Sequence, residues 1–255
     1  MDLQLKGKTA FISGSSQGIG FAIAAQLLKE GAAVIINGRN KEKLDQAVAQ
    51  LQPLGEVSGI AGDIADVVHE VPAVDILVNN VGIFELKSFF ELTDADWLHF
   101  FNVNVMSSVR LSRALMPAML EKKWGRIIFI SSESGVNIPA NMIHYGMTKT
   151  AMLSISRGLA QLTKGTAITV NTILGGPTYS DGVKNAVEQI ASQQHMEASV
   201  LKQHIFETTN PGSLLQRFIE PEEIAQLATY LASPLSIATN GAALRADGGV
   251  LNTIL

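Results

Sequence analysis

The sequence predicts a doubly wound α/β fold, a parallel sheet with helices on both faces. Three observations predict it. Short, continuously apolar runs recur along the chain, segments of helical periodicity separate them, and residues of unusual chemistry follow the runs directly. Parallel strands buried on both faces read as unbroken apolar runs. In such sheets ligands bind beyond the carboxyl ends of the strands.

The first run is TAFIS (9–13), which leads into SGSSQGIG (13–20) and a stripe of Ile19, Ile23 and Leu27. The second, AVIIN (33–37), ends in NGRN (37–40) before a stripe of Leu44, Val48 and Leu51. VDILVN (74–79) is next, then a long helix after Trp97 carrying Val105, Val109 and Leu115. RIIFIS (126–131) runs into Ser132, and Tyr145 opens a helix striped by Met152, Ile155, Leu159 and Leu162. AITVNTI (167–173) is the last clear run. From Pro177 to Ser213 a largely helical pattern carries Val183, Val187, Ile190, Met196, Val200, Leu201, Ile205 and Phe206.

A chain of 255 residues fits a single domain, 1–255, and 47% hydrophobic with 16% charged residues suits a large core. A net charge of −4 gives no indication of a nucleic-acid or anionic-membrane surface. The chain has no cysteine, which excludes disulfides and thiolate chemistry and is compatible with a cytoplasmic protein. MDLQLKGKTA has no apolar signal region, and no apolar run reaches the ~18 residues of a membrane helix. The five histidines show no metal-ligand spacing, so no metal is expected.

Gly14, Gly18 and Gly20 are spaced G-x-x-x-G-x-G where the first strand meets a helix. Glycine permits a tight turn and close backbone approach, and a helix N-terminus favours phosphate. A packing turn is the other reading of this loop. At the end of the second strand an acid holds a ribose 2′-hydroxyl in dinucleotide folds, whereas arginine accommodates a 2′-phosphate. Gly38 and Arg39 stand there with no acid, which favours NADP(H) and leaves NAD(H) open. Tyr145 and Lys149, four apart, share one helix face. An ammonium beside a phenol lowers its pKa and suits the pair to exchange a proton with an alcohol or carbonyl.

With SGSSQGIG, NNVG (79–82), Ser132 and YGMTK in this order, the chain resembles the short-chain dehydrogenase/reductase family, from GKTAFISG to GAALRADGG (241–249). The resemblance implies a Rossmann-type sheet of about seven strands. It implies catalysis by Asn104, Ser132, Tyr145 and Lys149, with Ser132 orienting the carbonyl, Tyr145 exchanging its proton and Asn104 holding a relay water. Ser131 would point away from the site. Ser13 replaces the family's threonine and keeps a hydroxyl. A dinucleotide would be held by Gly14, Ser16, Gln17, Gly18, Ile19 and Gly20, by Arg39, by Asp63 and Ile64 near the adenine, and by Asn80, Val81 and Gly82. Tyr145, Lys149, Gly176, Thr178 and Ser180 would meet its nicotinamide end. The substrate is then a small carbonyl or alcohol, with a 3-oxoacyl thioester as one candidate. A non-catalytic NADP-binding regulator is the rival reading. A homo-tetramer or homo-dimer is implied, joined through helices beginning near Asp96 and Tyr145.

Three departures from the family bear on the site. Gly175-Gly176 stands for the usual proline-glycine and is expected to loosen that turn. Eleven residues between Asp63 and Asp75 leave room for about one helical turn. The 177–213 segment reads either as an apolar lid for a bulky substrate or as a helical pair with its own core. Glu133 reads as a cleft acid for a cationic or hydroxylated substrate or as a solvated side chain; His144 as a cleft or a surface residue. Lys122, Lys123 and Arg126 read as a dock for an acidic carrier or as helix-end cations.

Overall fold

Alternation along each strand distributes the core to two faces. In β1 (Thr9–Ile12), Ala10 and Ile12 pack with Ile23 and Leu27, while Phe11 packs with Leu111 and Leu115. β4 (Ile76–Asn79) splits in the same way, Ile76 and Val78 against Leu77. In β5 (Trp124–Ser132), Ile128 and Ile130 oppose Ile127 and Phe129. With β2 (Ala33–Gly38), β3 (Val57–Ala61), β6 (Ala167–Gly175) and β7 (Ala243–Ala246), they form one sheet of seven strands in the order 3-2-1-4-5-6-7. Every pairing is parallel. The computed structural model describes residues 1–254.

The helices are, in chain order, α1 (Gly18–Lys29), α2 (Lys41–Leu51), α3 (Ile64–Val67), α4 (Asp94–Phe100), α5 (Ser107–Lys122), α6 (Ile143–Gln161), α7 (Asp181–Gln193), α8 (Ala198–Thr209) and α9 (Pro221–Ala232). α1, α2 and α9 cover one face and α3, α5 and α6 the other. The short crossover is a single turn, α3, followed by a 3-10 turn at Val68–Glu70. Between α4 and α5 the long helix widens into a π-helical stretch, Phe101–Met106, which contains Asn104. β1 pairs with both β2 and β4, so the order of the sheet reverses there and a crevice opens at the strand ends.

The structure corrects several expectations. Gly175 does not loosen a turn: it lies in the ladder between Ser132 and Ala246. Of the two readings of 177–213, part of the helical-pair reading is seen in the structure: Ile190, Met196 and Val200 are exposed, Val183 lines the groove, and the remaining apolar residues of that pattern pack inward. Val187 and Leu201 are buried against each other's helices with Ala191, packed by Val183 and Ile205, and Phe206 is buried against Phe218. α7 and α8 thus make a small core of their own. Arg126 is no docking cation. Its buried guanidinium donates to the carbonyls of Ser233, Gly125 and Ala167, and burial pulls its pKa down to about 10.

Candidate active site

The glycine loop is fixed by its own backbone. Gly14 and Gly18 have φ of 60° and 62°, in the region that favours glycine. The Ser13 hydroxyl donates to the Val78 carbonyl (3.3 Å) and accepts from the amides of Asn80 (3.0 Å) and Val81 (3.2 Å). Asn80 in turn donates its amide to the carbonyls of Ser13 (3.0 Å) and Gly14 (2.7 Å). The loops after β1 and β4 are therefore locked together at the switch point. Gln17 supplies no side-chain cap to α1. Of the first-turn amides, that of Gly18 donates to Asp181 Oδ2 at 2.8 Å, which ties α7 to the loop.

A groove of about 640 Å³ runs along the strand ends. Its lining includes Gly14, Ser16, Gln17, Gly18, Ile19, Arg39, Asp63, Ile64, Asn80, Val81, Gly82, Ser132, Tyr145, Lys149, Gly176, Thr178 and Ser180. Sequence reasoning named all of these. Two further residues it named do not face the groove. Gly20 is a packing glycine: a Cβ there would lie 2.5 Å from Asn80 Nδ2 and 2.8 Å from the Gly14 carbonyl oxygen. Asn104 is fully buried and committed to the protein. It accepts from the Ile83 amide (2.8 Å) and donates to the Ile83 carbonyl (2.9 Å) and to Thr148 Oγ1 (3.0 Å), bracing the β4 loop against α6.

At one end of the groove β5 and α6 meet. Ser132 ends β5 and donates its hydroxyl to Glu133 Oε2 at 2.5 Å. Ser131 turns the other way and donates to the Lys149 carbonyl (2.9 Å). Lys149 Nζ donates to the Ile130 carbonyl (3.1 Å) and lies 5.5 Å from the Tyr145 ring centre. The lysine was expected to pull the phenol down. In the protein alone burial dominates and pushes the Tyr145 phenol above its ordinary value, with a Ser132 hydrogen bond opposing and the Glu133 charge adding. Burial pulls Lys149 down to about 8, opposed by Glu133. His144 is neither cleft nor surface: it is fully buried, 4.1 Å from Phe100 between ring centres, and burial lowers its pKa.

At the other end Arg39 and Lys43 stand in solvent beside Asn40 and Ser16, with no carboxylate at the end of β2. Asp63 caps α3 through the Ala65 amide (2.9 Å) and lines the groove nearby. Sequence reasoning missed Lys43 and Asp181. Lys43 lies one helical turn beyond Arg39, and Asp181 directly follows Ser180; both were within reach of that spacing. The helix start, the glycine turn and the groove's length fit a dinucleotide.

A parallel sheet in this order, with a glycine loop at its switch point, defines a dinucleotide-binding α/β protein. A family profile described as short chain dehydrogenase matches residues 8–191, and the chain belongs to the short-chain dehydrogenase/reductase family. It is an NAD(P)-dependent oxidoreductase. It is 45% identical to an uncharacterized oxidoreductase, YvrD, of Bacillus subtilis, over 100% of both chains. It is 30% identical to a 3-oxoacyl-acyl-carrier-protein reductase of Vibrio harveyi, over 97% of this chain and 99% of that one. Among solved structures, L-sorbose reductase of Gluconobacter frateurii, complexed with NADPH and L-sorbose, superposes with a TM-score of 0.93 over 100% of both chains at 30% identity. Among the described residues no helix is long and apolar enough to cross a membrane.

Proposed function

We propose that the protein interconverts a ketone and a secondary alcohol with NADP(H), and that Tyr145 is its general acid and base. The observation that carries this reading is the meeting of Ser132, Tyr145 and Lys149 at one end of a groove whose other end presents Arg39 and no acid. An Asp or Glu at the end of β2 would repel a 2′-phosphate; Arg39, with Lys43 behind it, attracts one. The NADPH bound by L-sorbose reductase supports the same choice. The glycine loop, Asn80 and Gly82 would hold the dinucleotide's middle, and Asp63 and Ile64 its adenine side. Gly176, Thr178 and Ser180 would hold the nicotinamide end.

When bound, the cofactor supplies the hydride. The chain's own residues handle the oxygen. Tyr145, with its pKa raised, is protonated at neutral pH and donates to the carbonyl oxygen as it becomes an alkoxide. Lys149, at about 8, is mostly an ammonium at neutral pH and stabilises the phenolate that remains. Asn104 acts indirectly, by fixing the loop after β4 against α6.

The reading treats residues 1–255 as one domain, with 177–213 as a lid whose Val183 faces the groove. It also takes the exposed Leu98 and Phe101 along α4 and the segment after it as part of a contact between copies in a homo-dimer or homo-tetramer. A free small ketone is favoured over a carrier-bound acyl chain. Of the three cations read as a dock for a carrier, Arg126 is buried, which leaves only Lys122, paired with Asp75 at 3.6 Å, and Lys123 exposed. The test is consumption of NADPH and NADH by purified protein against free ketones and 3-oxoacyl thioesters. Faster use of NADPH with free ketones supports the reading; faster use of NADH, or of thioesters alone, overturns the corresponding part.

A further inference from the structure

Ser132 has one hydroxyl proton, and in this structure it is spent. The hydroxyl donates to Glu133 Oε2 at 2.5 Å and accepts from the Ser134 amide at 3.1 Å. A hydroxyl offers one donor and two acceptor sites. With its proton on Glu133, Ser132 has none left to give the Tyr145 phenol, whose pKa a donated hydrogen bond from Ser132 would pull down. Nor has Ser132 anything to give a substrate carbonyl. The carboxylate is held in place at its other end as well, where Ser134 Oγ donates to Oε1 at 3.0 Å. Each carboxylate oxygen keeps a free lone pair, and Glu133 lines the groove beside Ser132, Met142 and Tyr145.

Resting on the ketone-reductase reading above, we infer that Glu133 is the specificity-determining residue of the site. It takes a hydroxyl group that the substrate carries next to its carbonyl, and in doing so releases the Ser132 proton for the carbonyl oxygen. The substrate class is then an α-hydroxyketone, of which ketoses are polyhydroxylated examples. A plain ketone has no donor for Glu133, so it meets a serine whose proton is already committed. A hydroxyketone supplies a second donor to the carboxylate, weakens the bond from Ser132, and gains Ser132 as a donor to its carbonyl.

A cationic substrate would also satisfy the carboxylate, but the local charge argues against it. Lys149 already stands close enough for Glu133 to raise its pKa, so the acid has a counter-charge and lacks only donors. A second cation would meet the Lys149 ammonium at short range. A neutral hydroxyl adds the donor without the repulsion. Sites that bind a substrate hydroxyl through a desolvated polar group reject analogues lacking it more strongly than apolar pockets reject size changes.

The experiment compares three ketones of one carbon skeleton with NADPH as cofactor: 2-hexanone, 1-hydroxy-2-hexanone, and the 1-trimethylammonium analogue. Wild type, Glu133→Ala and the isosteric Glu133→Gln are each assayed for kcat/KM, and NADPH binding is followed by its fluorescence. Wild type is expected to prefer the hydroxyketone by at least ~10-fold over both others. In Glu133→Ala that ratio falls to near one, because the hydroxyketone loses its acceptor while the plain ketone gains the freed serine. Glu133→Gln keeps one acceptor oxygen and falls between, so the test survives if the alanine variant does not fold. A ratio unchanged in both variants, or a wild-type preference for the cationic ketone, overturns the inference and leaves the ketone-reductase reading standing. NADPH bound but none of the three ketones reduced overturns both.

Discussion

At the end of the groove formed by β5 and α6, Ser132, Lys149 and Asn104 are buried and hydrogen-bonded within the protein. At the end formed by β2 and α2, Arg39, Asn40 and Lys43 are exposed, and the Asn40 side chain serves only to cap a helix. The first end has its geometry set by packing and its charges set by desolvation. The second has its selectivity set by the sign of a few charges in water. Interactions of the first kind are large and insensitive to salt, and those of the second are small and screened.

The largest effect belongs to the buried end. Ser132→Ala removes the hydroxyl proposed to orient the carbonyl and, assayed with a hydroxyketone, is expected to lower kcat about 10²-fold, with NADPH affinity unchanged in a fluorescence titration. An equal loss of NADPH affinity would mean that the two ends are not separable. Next comes the choice of cofactor. Arg39→Asp places a carboxylate where a 2′-phosphate would lie, and the NADPH/NADH ratio of kcat/KM is expected to drop at least ~10-fold. Most of the wild-type preference should also fade between low and high salt, as exposed charges require.

A smaller effect sharpens the contrast through pH. Lys149 has a folded-state pKa of about 8, below its value of about 10.4 in an unfolded chain. Below pH 8 both states carry the proton and the folded state bears the cost of a buried charge. Between about 8 and 10.4 the folded state releases the proton and the unfolded state keeps it, so stability rises with pH. Cofactor-free wild type should therefore gain on the order of 1 kcal/mol per pH unit in that window relative to Lys149→Met, read by urea unfolding. A flat difference between the two would show that the lysine is solvated. The smallest effect is at Lys43: its replacement by Ala should weaken NADPH binding about 2- to 3-fold at low salt and not at all at high salt.

The same contrast governs what was legible in the sequence. β1, β2, β4, β5 and β6 were readable as apolar runs because helices bury both their faces. β3 and β7 lie at the two sheet edges, are only partly buried, and left no such run. Residues announced by backbone needs, such as Gly14 and Gly18, or by spacing, such as Tyr145 and Lys149, do line the groove. Gly20 is held by close packing and Asn104 by hydrogen bonds to Ile83 and Thr148, and neither lines the groove, a distinction that spacing cannot express. Nor did the sequence reveal that burial would outweigh Lys149 at the Tyr145 phenol, or that His144 would be enclosed by Phe100 and Trp97. Both depend on neighbours distant in the chain. Helical periodicity left open whether α7 and α8 would cover the groove or turn apolar residues on each other.

The most direct test of the account measures two properties of one Tyr145→Phe sample: NADPH affinity by fluorescence and NADPH consumption with a ketone that wild type reduces. The account predicts an unchanged affinity and a rate lower by at least ~10²-fold, because the groove is intact and only the proton donor is gone. A rate close to wild type would contradict it, since Tyr145 would then not be the group that protonates the carbonyl oxygen.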